Sequence, residues 1–241
     1  MSGPTVRPDD RGWTMRWVTY LSPSGGERRP GVVDDGCVLG YPGSEDLPRL
    51  LADGAEALRS AHRRALAAPV EVIVEFETRL CAPLVPDRPV ALHRAGSGPV
   101  TADPALVRGT DDGVVLPAGA AELVAEAGAV AFHHGTGEVA GYTLACLWST
   151  PRQEPVALTL GPALVTAEEV AGAVLAVEVS ADGAVVAGGT VDGPFTGGAG
   201  AGAPVGSLPA RTRPLTAGEE FFVDGGTLGS FELRIGSGTG T

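Results

Sequence analysis

Three Asp-Gly pairs, each set between short apolar runs, constrain this chain more than any other feature. Asp35-Gly36 divides residues 30–39, Asp182-Gly183 separates 174–179 from 184–187, and Asp224-Gly225-Gly226 separates 219–223 from 230–235. An Asp-Gly pair accepts the positive φ angles of a tight hairpin turn, so each pair joins two antiparallel strands. The rest of the sequence agrees. There are 36 glycines and 20 prolines in 241 residues, and aromatics make up only 5%. That mixture suits many short strands and turns. Strands are read at 16–20, 112–116, 122–132, 141–148 and 158–166, with 70–76 also read as a strand. One helical stretch is read over 46–67, where Leu47, Leu50, Leu51 and Leu58 recur near helical spacing and Asp46 can cap. The fold class is mainly β with few helices, an α+β chain built as a β-roll or barrel and not from βαβ units.

Charge narrows the function. The net charge is −12, which repels nucleic-acid backbones and anionic lipid surfaces. All 17 basic residues are arginines, so no side-chain amine exists to form a Schiff base. Cys37, Cys81 and Cys146 are widely spaced and form no pairing pattern, as expected of reduced thiols in the cytoplasm. No apolar run approaches the roughly 20 residues of a membrane span. Residues 1–12 are polar and lack the hydrophobic region of a signal peptide. The sequence predicts a loose arm over 1–14, a small domain over 15–87, and a core over 88–236, with 237–241 frayed. Pro83, Pro86 and Pro89 stiffen the connector at the domain boundary. The Gly/Ala-rich stretch 188–206 reads as a loop.

Several strings in order along the chain resemble the fumarylacetoacetate hydrolase superfamily. Met15-Arg16-Trp17-Val18-Thr19-Tyr20 and Arg29-Pro30-Gly31-Val32-Val33-Asp34-Asp35-Gly36 are similar to its N-terminal roll. Asp112-Gly113-Val114-Val115-Leu116-Pro117, Val139-Ala140-Gly141-Tyr142-Thr143-Leu144-Ala145, Leu160-Gly161-Pro162-Ala163-Leu164-Val165-Thr166 and Leu215-Thr216-Ala217-Gly218-Glu219 follow the family's later motifs. The resemblance implies a mixed β-roll core with a small N-terminal β-α domain, usually as a homodimer.

Family members hold Mg²⁺ or Mn²⁺ with three carboxylates, the oxygen ligands that hard cations require. By this resemblance Ala125 and Ala127 stand at the two positions of the family's E-x-E, with Glu126 between them, and Leu147 stands at its Asp. A one-residue slip restores one ligand and not two. The lid that carries the family's general base is largely absent between Arg94 and Asp112, and its lysine is missing. These replacements imply no metal and no other cofactor.

Candidate catalytic residues are His93, as an acid or base, and Arg94 and Arg152, as anion holders. Candidate substrate-lining residues are Ala125, Ala127, Leu147, Trp148, Gln153 and Thr190. Arg152 and Gln153 fall near the family's substrate-contacting S-A-R-D-x-Q, and Thr190 matches a substrate-contacting threonine. The adjacent pair His133-His134 faces opposite sides of a strand and cannot chelate together.

Three functions are open on this sequence. The first is a metal-independent cyclase, isomerase or lyase of secondary metabolism, acting on a polyketide-like or dicarbonyl small molecule in an apolar cleft. The second is a non-catalytic protein that binds a ligand or a partner subunit. The third is a residual Mg/Mn-dependent hydrolase or decarboxylase using Glu122, Glu126 and Asp111 or Asp112. Convergence of His93, Arg94, Arg152 and Thr190 on one cavity separates the first from the second.

Overall fold

A computed structural model describes residues 15–192 and 203–237. The sequence-predicted arm, most of the tail and the middle of the Gly/Ala stretch lie outside them. Among the described residues, no helix is long and apolar enough to cross a membrane.

β1 (Arg16–Leu21), β2 (Arg28–Asp34) and β3 (Cys37–Gly40) form an antiparallel meander. Asp35 at φ 46° and Gly36 at φ 71° make its second turn, as the Asp-Gly pair requires. The helical stretch is two helices, α1 (Leu47–Ala52) and α2 (Ala55–Ala67). Asp46 caps α1 by accepting from Arg49 N–H at 2.9 Å, and Gly54 at φ 96° breaks the run between them. Short strands follow: β4 (Val72–Val74), β5 (Leu80–Cys81), β6 (Val90–Arg94), β7 (Val100–Ala102) and β8 (Val107–Arg108). The strand expected at 112–116 does not form. Gly113 at φ 67° turns the chain out of extended geometry, and Val114 makes a single bridge to Ile235.

Three long strands make the centre: β9 (Glu122–His133), β10 (Val139–Ser149) and β11 (Pro155–Thr166). They are followed by β12 (Ala176–Ala181), β13 (Ala184–Thr190), β14 (Val205–Arg211), β15 (Leu215–Thr216), β16 (Glu220–Asp224) and β17 (Ser230–Arg234). The expected loop at 188–206 is shorter than the sequence suggests, because its ends belong to β13 and β14. Glycine permits this at Gly189, where an added Cβ would lie 2.9 Å from Pro209.

A 13-stranded mixed sheet follows the path β4-β3-β2-β1-β11-β10-β9-β14-β6-β7, with β5, β8 and β15 paired to β1, β11 and β9 off that path, so strands from both sides of the proline connector share one sheet. The β14–β6 and β11–β8 pairs are parallel. A second sheet runs β13-β12-β16-β17. The central strands are buried on both faces. On one face Leu147, Leu158, Leu160, Val130 and Phe132 pack with the leucines of α1 and α2. On the other, Ala125, Ala127, Ala129 and Trp148 meet Val179, Phe221 and Val223 of the second sheet. Alternation along a strand sends neighbours to opposite cores. The alanines leave room for the Trp148 ring, which meets Phe221 edge-on at 4.7 Å.

Candidate functional site

Among the described residues, one carboxylate is fully buried in the central strands. Glu126 lies in mid-sheet on β9, fully buried, with Leu147 of β10 and Arg211 of β14 as its cross-strand partners. A carboxylate there requires partners in place of water. Arg211 Nη1 donates to Glu126 Oε1 at 2.7 Å, and Arg94 Nη1 donates to Oε2 at 3.3 Å. Arg94 reaches the site because β6 runs parallel to β14, with Leu208 beside Arg94. Arg94 Nε also donates to Gly98 O at 3.1 Å, and Nη2 to Gln153 Oε1 at 3.4 Å.

Gln153 sits in the tight turn between β10 and β11, held at φ 69° while its N–H donates to Thr150 O at 2.8 Å. A non-glycine residue in that region costs conformational energy, and such residues collect at functional sites. The cluster has two guanidiniums for one carboxylate and therefore one excess positive charge. Arg94 is nearly sequestered, at 7% side-chain exposure, whereas Arg211 is 31% exposed.

The candidates from sequence distribute as follows. Arg94 and Gln153 meet in this cluster. Arg152 is exposed in the same turn. His93 is exposed on β6, and strand alternation points it away from the Arg94 face. Thr190 lies elsewhere, in a groove of ≈ 350 Å³ lined by Tyr142, Val191 and Asp192 among others. Ala125 and Ala127 pair with Trp148 and Cys146 and face the second sheet, while Leu147 faces the helices. The expectation that these three line one cleft does not fit the strand register. Trp148 is core: it is fully buried, and its Nε1–H donates to Thr159 Oγ1 at 3.0 Å. Sequence reasoning missed Arg211, and it missed Glu126 as a residue held by arginines. The available signal was a lone acid in an apolar run, which calls for a basic partner.

The donor set does not fit a hard divalent cation. Among the described residues, no group of three or more His, Cys, Asp or Glu side chains is placed to hold a metal. Both oxygens of Glu126 are taken by guanidiniums, and Leu147 beside it is aliphatic. Gly128, two residues along the same face, has no room for a ligand side chain: a Cβ there would lie 1.9 Å from Ser207 O. Asp111 and Asp112 are engaged elsewhere, by the N–H groups of Leu80 and Gly109. Cys146 is no thiolate either, because burial foremost and the nearby Glu126 push its thiol well above the ordinary range.

No known family profile matches the sequence, and no curated protein matches it. Solved structures do match the fold. The maleylpyruvate hydrolase of Sphingobium sp. SYK-6 superposes with a TM-score of 0.75 at 18% identity, covering 92% of this chain and 99% of that one. The same hydrolase has been solved with manganese(II) and pyruvate. Fumarylacetoacetate hydrolase from Exiguobacterium antarcticum gives 0.70 at 17% identity, over 92% and 99%. A 2-hydroxyhepta-2,4-diene-1,7-dioate isomerase from Mycobacterium marinum gives 0.67 at 16%, over 92% and 98%. The chain therefore has the fumarylacetoacetate hydrolase fold. Structural neighbours on this fold include hydrolases, isomerases and a dehydratase.

Proposed function

We propose that this protein is a metal-independent enzyme that acts on a dicarbonyl or polyketide-like acid, with arginines supplying the positive charge. One observation carries the reading: the buried carboxylate of Glu126 is bound by Arg94 and Arg211, which leaves an excess cation where Arg211 is open to solvent. A guanidinium fork matches a carboxylate or enolate in two-point geometry. The substrates named for the structural neighbours, among them maleylpyruvate and 2-hydroxyhepta-2,4-diene-1,7-dioate, are carbonyl or enol acids, which favours the same ligand chemistry. In this reading Arg211 binds the substrate's anionic end. Glu126, Gly98 and Gln153 hold Arg94 in place, and Gln153 and Arg152 flank the ligand from the turn. The reaction is a cyclisation, isomerisation or lyase step driven by charge stabilisation and orientation, in a cytoplasmic homodimer that serves secondary metabolism.

His93 and Thr190 do not converge with Arg94 and Arg152 on one cavity, which counts against the enzyme by the criterion drawn from the sequence and favours a second reading, a non-catalytic ligand binder. Metal-stripped protein titrated with pyruvate tests ligand binding, and incubation with maleylpyruvate, followed by loss of enol absorbance, tests turnover. Saturable pyruvate binding in EDTA, weakened roughly tenfold by Arg211→Gln, is expected. Turnover without metal supports the enzyme, and binding alone supports the second reading. Binding or turnover that appears only after Mn²⁺ is added overturns both.

A further inference from the structure

A second concentration of arginines stands outside that cluster. A groove of ≈ 620 Å³ opens between the start of β11 and the segment that follows β8. Its volume falls in the range of small-molecule sites. The lining includes Arg28, Arg79 and Arg108 and one carboxylate, Asp112. Three guanidiniums against one carboxylate is the reverse of the whole chain, where 29 acids outnumber 17 arginines.

Each arginine is held differently. Arg79 donates to Asp112 Oδ1 at 3.3 Å. Arg108 is anchored by neutral groups, with Nη1 donating to the carbonyls of Ala105 and Val107 at 2.8 Å each, so its orientation is fixed and its charge is not cancelled. Arg28 pairs with Leu21 in the β1–β2 ladder, while its side chain is exposed and makes no hydrogen bond or ion pair among the described residues. Asp111, next to Asp112, turns a carboxylate oxygen onto Leu80 N–H at 2.6 Å. The remaining wall is apolar: Val115, Leu116 and Val156 face the groove, with Val114 and Ala157 buried behind them. Val115 is 41% exposed, a large aliphatic left facing water.

We infer that this groove is a binding site for an amphipathic organic acid. The carboxylate is held by Arg28 and Arg108, and the aliphatic or aromatic body lies on the valines. The pairing of uncancelled guanidiniums with an apolar wall carries the inference. Charge alone would suit any anion, but an apolar wall gains only from a ligand that has a body to bury. Local positive charge in an acidic protein also concentrates anions at this face.

The test titrates octanoate into ¹⁵N-labelled full-length protein and follows the amide shifts of Val114, Val115 and Leu116. Acetate supplies the charge without the body, and octanol the body without the charge. Octanoate is expected to saturate these shifts, with acetate and octanol each binding at least roughly tenfold more weakly. Arg28→Gln is expected to weaken octanoate roughly tenfold with the fold intact, since the exposed Arg28 side chain makes no hydrogen bond or ion pair among the described residues. Arg211→Gln, at the other cluster, is expected to leave it unchanged. Equal binding of octanol, no loss in Arg28→Gln, or no saturable shift in this groove overturns the inference.

Discussion

Replacing Glu126 with glutamine tests the arginine cluster as a stability element. The substitution keeps the side chain's shape and removes its charge. Glu126 is fully buried, and Arg94 keeps only 7% of its side chain exposed, so the Arg94 cation cannot recover water in place of its lost partner. Removing one partner of a buried ion pair costs about 3–5 kcal/mol. Arg211 can turn its partly exposed head to solvent, which places the expected loss near the lower end, about 3 kcal/mol. For a domain of this size that lowers the melting temperature by roughly 6–12 °C. Arg211→Gln leaves the Arg94–Glu126 pair in place and should cost about 1 kcal/mol. The assay is urea unfolding of the three proteins, with stability taken from the midpoint at constant slope. If Glu126→Gln costs less than about 1 kcal/mol, the carboxylate is not carrying the two arginines and the site reading fails with it.

Trp148→Phe leaves the Thr159 hydroxyl without its donor in a buried place and should cost about 1–2 kcal/mol, read by the same unfolding curves. His62 is buried against Trp17, and burial holds its imidazole below the ordinary 6.5, with Asp34 opposing and Arg63 reinforcing the shift. The unfolded chain then binds the proton more readily. Stability should fall as pH drops through 6.5 and level off below the folded value, and His62→Asn should flatten that limb of a melting-temperature profile. Cys146 should stay unreactive toward a disulfide reagent at pH 8 in the native state and react on unfolding, because its thiol is fully buried.

The fold was legible where local chemistry decides the backbone. Asp182 at φ 48° and Gly183 at φ 75° turn the β12–β13 hairpin as the Asp-Gly pair requires. Asp46 caps its helix because its carboxylate can reach the Arg49 N–H. Where one residue redirected the chain, the reading broke down. Gly54 split the predicted helix and Gly113 removed the predicted strand, both by positive φ that apolar periodicity does not register.

The site was lost to a different cause, the phase of one strand. Residues 122–133 are buried on both faces, so apolar alternation is absent and nothing in the sequence states which side chains face the helices. The resemblance put Ala125, Ala127 and Leu147 on one face. The register pairs Leu147 with Glu126 instead and turns both alanines to the second sheet. With that parity, the residues able to share a ligand with position 147 are 124, 126 and 128: a valine, a glutamate whose oxygens are already engaged, and a glycine with backbone in the space of its missing side chain. The same shift explains why Arg211 escaped notice. Its role depends on lying across from Glu126 on β14, a pairing 85 residues apart in sequence. A buried acid in an apolar run announces that a cation must come from somewhere, and only the sheet order says from where.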